Sequence, residues 1–458
     1  MNARGTGGKV PPAQIHGASA VRSGQFLFVS AQAGVHPATG RLVRGYADLD
    51  PKGRRLASGF MAPDSWAAQT AAQCWQTFRN VEAVLAAHGA TPKDILRINM
   101  YVRQISELPV LNPVRSAFFA PNPPPPITNV EVRWLPIPGS VFEAEVIALL
   151  PGGRLRKENL RSKATSQQVG NYELATRAGS LVIAAGVIAA SNRDGRLIKR
   201  RADLGADAPA PVGDMADHVE EEIEVQTTYL YQDLQRALGE TGGSLRDVVK
   251  LTFYLKEMRD LRAVERIHRR FFPDGAEGQP AVTVLSVDEL GVHDFLLEIE
   301  MIADLGSVSR GAGRFVSLRS PRPLSPRHPQ AARAAGLLWV GGVFGNDTDA
   351  GSAAVRRALG PAGLAVGAAL GPGAAAALMA YQDLGRVLAG DGLRLRDVVK
   401  TTIYATHPGD LPGIEAATRT VFPRNAPAVT VVGVHSLPVP GARVEIEAIA
   451  TARKRRLR

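Results

Sequence analysis

One hexapeptide occurs twice without change, Leu-Arg-Asp-Val-Val-Lys at 245–250 and again at 395–400. An apolar-rich run follows each copy, LTFYL and TTIYA, and Tyr-Gln-Asp-Leu precedes each, at 231–234 and 381–384. A looser copy, Lys93-Asp94-Ile95-Leu96-Arg97 and then INMYV, lies in the first third. Asp94, Asp247 and Asp397 stand 153 and 150 residues apart. The same three stretches end alike, in Glu143-Ala-Glu145, Glu298-Ile-Glu300 and Glu445-Ile-Glu447 within apolar runs. Repeats of about 20–50 residues build solenoids, whereas a period near 150 is the size of a whole domain. The 458 residues are therefore expected to hold three fused copies of one unit.

Each unit shows the same order of elements. An apolar strand comes first (Phe26 to Ser30, Leu181 to Ala185, Leu337 to Gly341), then a turn and a short second strand. A long amphipathic helix follows, over Ser65 to His88, Met215 to Leu238 and Gly373 to Leu388, with apolar residues three and four apart as in Trp75, Phe78, Val81, Val84 and Leu85. Gly89, Gly239 and Gly390 are expected to end these helices. A β-branched and aromatic strand comes next, then a short helix closing on Phe118-Phe119, Phe271-Phe272 or Val421-Phe422, and two last strands. This order gives an α+β unit with helices on one face of a sheet. The bare sheet faces still need burying. A closed three-fold arrangement of the three units would supply it, as an intramolecular pseudo-trimer with sheets inside and helices outside. Domains are expected at 1–150, 166–305 and 320–451, with linkers at 151–165 and 306–319 and a basic tail at 452–458.

Composition narrows the function. The net charge of +11 permits attraction to nucleic acid, but aromatic residues are only 6% and no RNA-binding signature is present, so nucleic acid is not an expected partner. No run of about 18 uncharged apolar residues exists, and the first residues lack an apolar signal core, so a cytoplasmic location without membrane contact is expected. The single cysteine, Cys74, falls in a helical pattern and reads as a buried thiol. Nine scattered histidines show no ligand spacing, so no metal site is expected.

Several segments together resemble the Rid (reactive intermediate deaminase, YjgF-like) family. They are the strand Leu27 to Gln32, the helix opening Gln69-Thr70 and closing on LAAHG, the DVVK strand, the Asn112 to Phe119 segment NPVRSAFF, and the closing strand Val444 to Ala450. The resemblance implies a chorismate-mutase-like α+β fold, assembly in threes with clefts between neighbours, and hydrolysis of 2-imino and 2-enamino acids without metal or organic cofactor. It also implies an arginine that grips the substrate carboxylate. Here that position is filled by Ile127, Val282 and Val429, each followed by a threonine (Thr128, Thr283, Thr430). A charge-assisted arginine pair is worth about 1.5–3 kcal/mol, which a hydrocarbon side chain cannot supply. The clefts are thus expected to be more apolar and to suit a larger or carboxylate-free ligand.

The family's other positions are unevenly kept. Its strand serine matches Ser30 but becomes Ala185 and Gly341, and its entry tyrosine matches Tyr172 but becomes Gly17 and His328. The asparagine before the short helix matches Asn112 but becomes Glu265 and Glu415, and the cysteine beyond the arginine becomes Asn129, Val284 and Val431. The water-positioning glutamate matches Glu143, Glu298 and Glu445.

Taken by themselves, two glutamates two apart on a strand face one side and, once buried, need partners or raised pKa values. That fits either a structural pair or a general acid/base. Ser30 fits a satisfied core hydroxyl or a group that holds developing charge; Tyr172 a ligand donor or a core cap; His328 an acid/base or a surface-loop residue; the threonines need no more than β propensity. The expected function is a diverged, cofactor-independent Rid-like enzyme acting on an imine, enamine or related carbonyl compound of a specialised pathway. Hydrolytic deamination, tautomerisation, dehydration and cyclisation all remain open, and standard 2-imino-acid deamination is not expected. Glu143 is the first candidate for the acid/base, sharing a cleft with Ile127 and Asn129. The alternatives are a non-catalytic small-molecule binder or scaffold and, third, a ribonuclease. The partner is expected to be a partly apolar small molecule, and the chain a monomer in solution.

Overall fold

The computed structural model describes residues 11–13, 15–57, 68–160, 172–191, 194–205, 221–273, 279–291, 294–306, 315–316, 328–345 and 370–452. The expected helix starts at Ser65 and Met215, the residues Gly170, Asn171 and Arg327, the tail 453–458, residues 161–165 of the first linker and most of the second lie outside them.

Each third folds into one sheet with a long and a short helix on one face. In the first, strands run in the order 20–23, 26–33, 142–149, 95–102 and 127–131. All pairs are antiparallel except 95–102 with 127–131, which is parallel because the short helix Leu108–Phe119 crosses over between them. The second and third units repeat this order about their central strands Leu297–Asp304 and Val444–Thr451. Residues 157–160, within the stretch expected to be a linker, form an edge strand against 175–178. Their polar, two-sided pattern (Lys-Glu-Asn-Leu) carries no strand periodicity, so only the pairing reveals them.

The long helices are Ala68–Ala87, Glu222–Glu240 and Pro372–Gly390. Trp75, Phe78, Val81, Val84, Leu85 and Cys74 are all buried under the first, and burial pushes the Cys74 thiol well up. The glycines in the left-handed region just past these helices are Gly89, Gly242 and Gly392. Gly239 and Gly390 remain helical, one turn earlier than the turn itself. The signal is the second glycine of each turn, since only the positive φ demands the missing Cβ.

The central strands have strict two-fold alternation. Phe142, Ala144, Val146 and Ala148 pack under the first unit's helices, while Glu143, Glu145, Ile147 and Leu149 point the other way. The bare faces of all three sheets meet in one apolar cluster that includes Leu96, Ile147, Ile183, Ile302, Trp339 and Ile449. Backbone contacts run from first unit to second (Val130 and Glu131 with Leu290 and Glu289), second to third (Ser286 with Ser436) and third to first (Gly433 with Trp134).

Buried ion pairs follow the same cycle: Arg97 to Glu300 at 3.2 Å, Lys250 to Glu447 at 3.0 Å and Lys400 to Glu145 at 2.6 Å. A register shift just before Arg97, Lys250 and Lys400 interrupts the ladder in each unit, and such bulges re-aim a side chain. The cations thereby leave the helix side and enter the shared interior. With Trp339 they line a cavity of about 30 Å³, room for about two waters. Among the described residues no helix is long and apolar enough to cross a membrane.

Candidate functional site

The three seams between units are built alike, from the parallel edge strand of one unit and the first long strand of the next. In the first–second seam, the Gly186 N–H donates to the Thr128 hydroxyl at 3.0 Å. In the third–first seam, the Ala31 N–H donates to Thr430 at 3.1 Å. In the second–third seam, Gly341 lies so close to Val282 that a Cβ would stand 2.5 Å from the Val282 carbonyl oxygen. The seam threonines thus do more than favour a strand. Thr283 accepts from Lys250 at 2.7 Å and donates to Glu447 at 2.9 Å.

This geometry corrects the expected composition of a cleft. Glu143 pairs with Ala33 across the strand ladder, two strands away from Thr128. It belongs to the third–first seam, with Ser30, Val429 and Thr430. Thr128 instead meets the second unit at Gly186, which lies against Glu298, while Ile127 packs in the first unit's own core. The separation follows from strand order, because residues at opposite edges of one sheet meet different neighbours in a cyclic arrangement.

The third–first seam is closed by packing. The Ser30 hydroxyl donates to the Ala18 carbonyl at 2.6 Å and accepts from the Val429 N–H at 2.7 Å. Its single proton is committed, so it acts as a staple between units. Gly17, at the entry position, lies against Val429, where a Cβ would be 2.9 Å from a methyl group. Glu143 is fully buried there.

The second–third seam holds Val282, Gly342, Glu445 and two histidines. Gly342 leaves room for Glu445, whose carboxyl oxygen would lie 1.7 Å from an added Cβ. Burial, with Glu447 adding to it, holds the Glu445 carboxyl well above the usual range. His328 is half-buried, its ring 4.8 Å from that of His268. It is therefore a seam residue and not a surface-loop one. His268 Nδ1 bonds the Tyr231 hydroxyl at 2.6 Å, and burial keeps its imidazole neutral by lowering its pKa.

The first–second seam gathers polar groups with few commitments. Gly186 again makes room for a glutamate: a Cβ would lie 1.9 Å from a Glu298 carboxyl oxygen. Glu298 is 4% exposed and has no hydrogen-bond or ion-pair partner among the described residues. Burial, and then the Glu300 charge, push its pKa well above the ordinary carboxyl range. Tyr172 lies beside it, and burial followed by the Glu298 charge raises the phenol. Asn129 adds a buried Oδ1 that accepts no hydrogen bond from the described residues. Ile127 is fully buried behind these groups, and Asn112 is half-buried on the short helix.

One turn beyond Asn112 the same helix carries Arg115, fully buried, its guanidinium 5.4 Å from the centre of the Tyr172 ring. The expectation of cation-free, carbon-lined clefts therefore fails in this seam, because the cation arrives on a helix and not on the strand where the resemblance placed it. Aligning the three helix ends on Phe119, Phe272 and Phe422 shows the signal, with Arg115, His268 and Thr418 at one position. Among the described residues no cluster of His, Cys, Asp and Glu could hold a metal ion.

Comparison with known proteins agrees with this three-part build. The model of the family described as endoribonuclease L-PSP matches three times, at residues 56–150, 209–305 and 371–452, together more than half of the chain. A RutC family protein of Pyrococcus horikoshii is 29% identical over 147 residues, covering 32% of this chain and 97% of the relative. A 2-iminobutanoate/2-iminopropanoate deaminase of Rattus norvegicus is 32% identical over 123 residues, covering 27% of this chain and 78% of the relative. Among solved structures, RidA from an Antarctic Psychrobacter is 28% identical over 31% of this chain and 94% of that one, with a TM-score of 0.25. The chain belongs to the endoribonuclease L-PSP family, the Rid proteins, and carries three tandem copies of its domain.

Proposed function

We propose that the chain is a single-chain, three-unit Rid-type enzyme that processes an imine or enamine in the seam between its first and second units, with Glu298 as the acid/base. The observation that carries this reading is a buried carboxyl with no partner among the described residues, its pKa pushed well above the ordinary range by burial, next to Tyr172. A general acid is most effective when its pKa lies near the working pH. A protonated Glu298 gives its proton to the imine nitrogen and so makes the carbon electrophilic. The resulting carboxylate takes a proton from an incoming water, whose oxygen bonds to that carbon. Breaking the C–N bond as Glu298 returns a proton to nitrogen releases ammonia, and the carboxylate takes the proton of the new hydroxyl to leave a carbonyl compound. For an enamine, proton delivery to carbon precedes the same sequence. Asn129 Oδ1 can accept from the attacking water or from the imine N–H, and Tyr172 covers one side.

The second–third seam also holds a buried carboxyl with a raised pKa, Glu445, but has His328 and Val284 in place of Tyr172 and Asn129. The hydroxyl of Ser30 is spent, and His268 Nδ1 is taken by the Tyr231 hydroxyl. The relatives whose names state 2-imino-acid deamination support the reaction class. The strand position 127, filled by isoleucine, argues for a substrate outside short 2-imino acids. The test generates imines in situ by oxidising a panel of amines and amino acids and follows their loss by trapping with semicarbazide. Accelerated ammonia release supports the proposal. A ligand that raises the melting temperature and is never consumed would make the seam a binding site instead.

The family description and the charge of +11 also favour ribonuclease activity as a second reading. Electrostatic RNA binding fades steeply with salt. Cleavage that persists at high salt would support this second reading, and its loss would remove it.

A further inference from the structure

Three equivalent helix positions, 115, 268 and 418, each place a polar side chain one turn before the helix end, Phe118-Phe119, Phe271-Phe272 or Val421-Phe422. The ring contacts establish the equivalence. Phe78 stacks on Phe118 at 5.2 Å and meets Phe119 edge-on at 5.6 Å; Tyr231 does the same to Phe271 at 4.9 Å and Phe272 at 5.8 Å. In the second unit the Tyr231 hydroxyl bonds His268 Nδ1 at 2.6 Å, and the imidazole is neutral. In the third the Tyr381 hydroxyl bonds Thr418 at 3.0 Å, and Thr418 also donates to the Ile414 carbonyl. In the first unit the helix residue is a cation and the ring that would answer it is Phe78, with no hydroxyl. All three guanidinium nitrogens of Arg115 are buried with no hydrogen-bond partner among the described residues.

A buried, unpaired charge is strongly destabilising, and a chain that stored one for packing alone would be better served by a neutral side chain. The neighbouring copies show that the site accepts one. Only in the first unit is this residue a cation facing a ring without a hydroxyl, its five donors lying between the Tyr172 ring and the buried Cys74. Tyr172 links Arg115 to Glu298: its ring centre is 5.4 Å from the Arg115 guanidinium, and the Glu298 charge helps raise its phenol.

We infer that Arg115 is the anion anchor of the first–second seam, and that its ligand is a carboxylate whose charged end is separated from the reacting carbon by the Tyr172 phenol, as in a 4-oxo or 4-imino acid and not a 2-oxo or 2-imino acid. The position of the reacting carbon rests on the role proposed for Glu298; the anchor itself does not, since binding reads it without turnover.

The experiment titrates the full chain with levulinate (4-oxopentanoate), its uncharged amide and pyruvate, by calorimetry and thermal shift. Levulinate is expected to bind saturably and raise the melting temperature, with the amide inert and pyruvate weaker. Arg115→Met is expected to weaken levulinate at least about tenfold, the scale of a lost charge-assisted pair, and to raise the melting temperature of the free protein by removing an unanswered charge. Phe78→Tyr restores the hydroxyl of the other two copies and is expected to weaken levulinate by competing for the guanidinium. The inference is overturned if the amide binds as well as the acid, if Arg115→Met binds levulinate like the parent, or if Arg115→Met melts lower. Pyruvate binding more tightly than levulinate overturns the separation of charge and carbon. Tight levulinate binding without any imine turnover would sustain the anchor while removing the catalytic reading.

Discussion

Lys400 of the third unit reaches Glu145 of the first at 2.6 Å, closing a cycle begun by Arg97 with Glu300 and continued by Lys250 with Glu447. In two of the units the carboxylate is also held by its own unit's tyrosine: Tyr101 donates to Glu145 and Tyr404 to Glu447, each at 3.0 Å. Burial alone would raise the Glu145 pKa; the ammonium of Lys400 and its hydrogen bond, with a further bond to Thr430, bring it below the ordinary range. Each unit thus contributes one cation to one neighbour and one carboxylate to the other, which makes the order of units around the interior specific.

Removing one member of such a pair strands the other. Lys400→Met is expected to cost about 3–5 kcal/mol, read as a fall in the urea midpoint. Lys400→Met with Glu145→Leu should recover most of that loss, because a well-packed apolar pair replaces two desolvated charges. A double variant no better than the single would show that the charge of Glu145 is not what suffers.

The raised pKa of Glu298 fixes the sign of a pH effect. In the unfolded chain a glutamate loses its proton near pH 4.3, whereas the folded carboxyl keeps it to a much higher pH. Over that window the folded state binds more protons, so stability falls as pH rises, and the contribution is fully present only below the unfolded value. Glu298→Gln, which cannot ionise, should match the parent near pH 4 and melt progressively higher than it toward pH 8. A difference independent of pH would mean that the carboxyl ionises normally.

The seam glycines give a paired test. A Cβ at 186 or 342 would collide with the carboxyl of Glu298 or Glu445. Both Gly186→Ala and Gly342→Ala are expected to lower the melting temperature by displacing that carboxyl. Only Gly186→Ala should also reduce imine turnover, which a kinetic comparison of the two proteins reads directly.

Ser30→Ala removes two hydrogen bonds, to Ala18 and from Val429, and leaves a backbone N–H and a carbonyl unanswered. A loss of about 1–3 kcal/mol in folding stability is expected, with turnover unchanged. Lost turnover at full stability would instead place Ser30 in the chemistry.

The repeats, the order of elements and the three glutamates were legible in the sequence because burial with alternation and helical spacing leave direct marks. Arg97, Lys250 and Lys400 were equally visible as the last residue of a repeated motif, yet nothing local says that a bulge turns them inward. The grouping of Glu143 with Ile127 failed because one sequence does not say which edge of a sheet meets which neighbour. Arg115 stood inside the segment NPVRSAFF; its meaning needs both its fellow positions His268 and Thr418 and the missing hydroxyl of Phe78.

The most direct measurement compares ammonia release by three variants, Glu298→Gln, Glu143→Gln and Glu445→Gln, on whichever imine the parent turns over. Loss of a general acid costs about 10²–10⁴-fold, and that loss is expected for Glu298→Gln alone, with the other two near parental rates. Full activity in Glu298→Gln, or its collapse in Glu143→Gln, would contradict the account and move the chemistry to another seam.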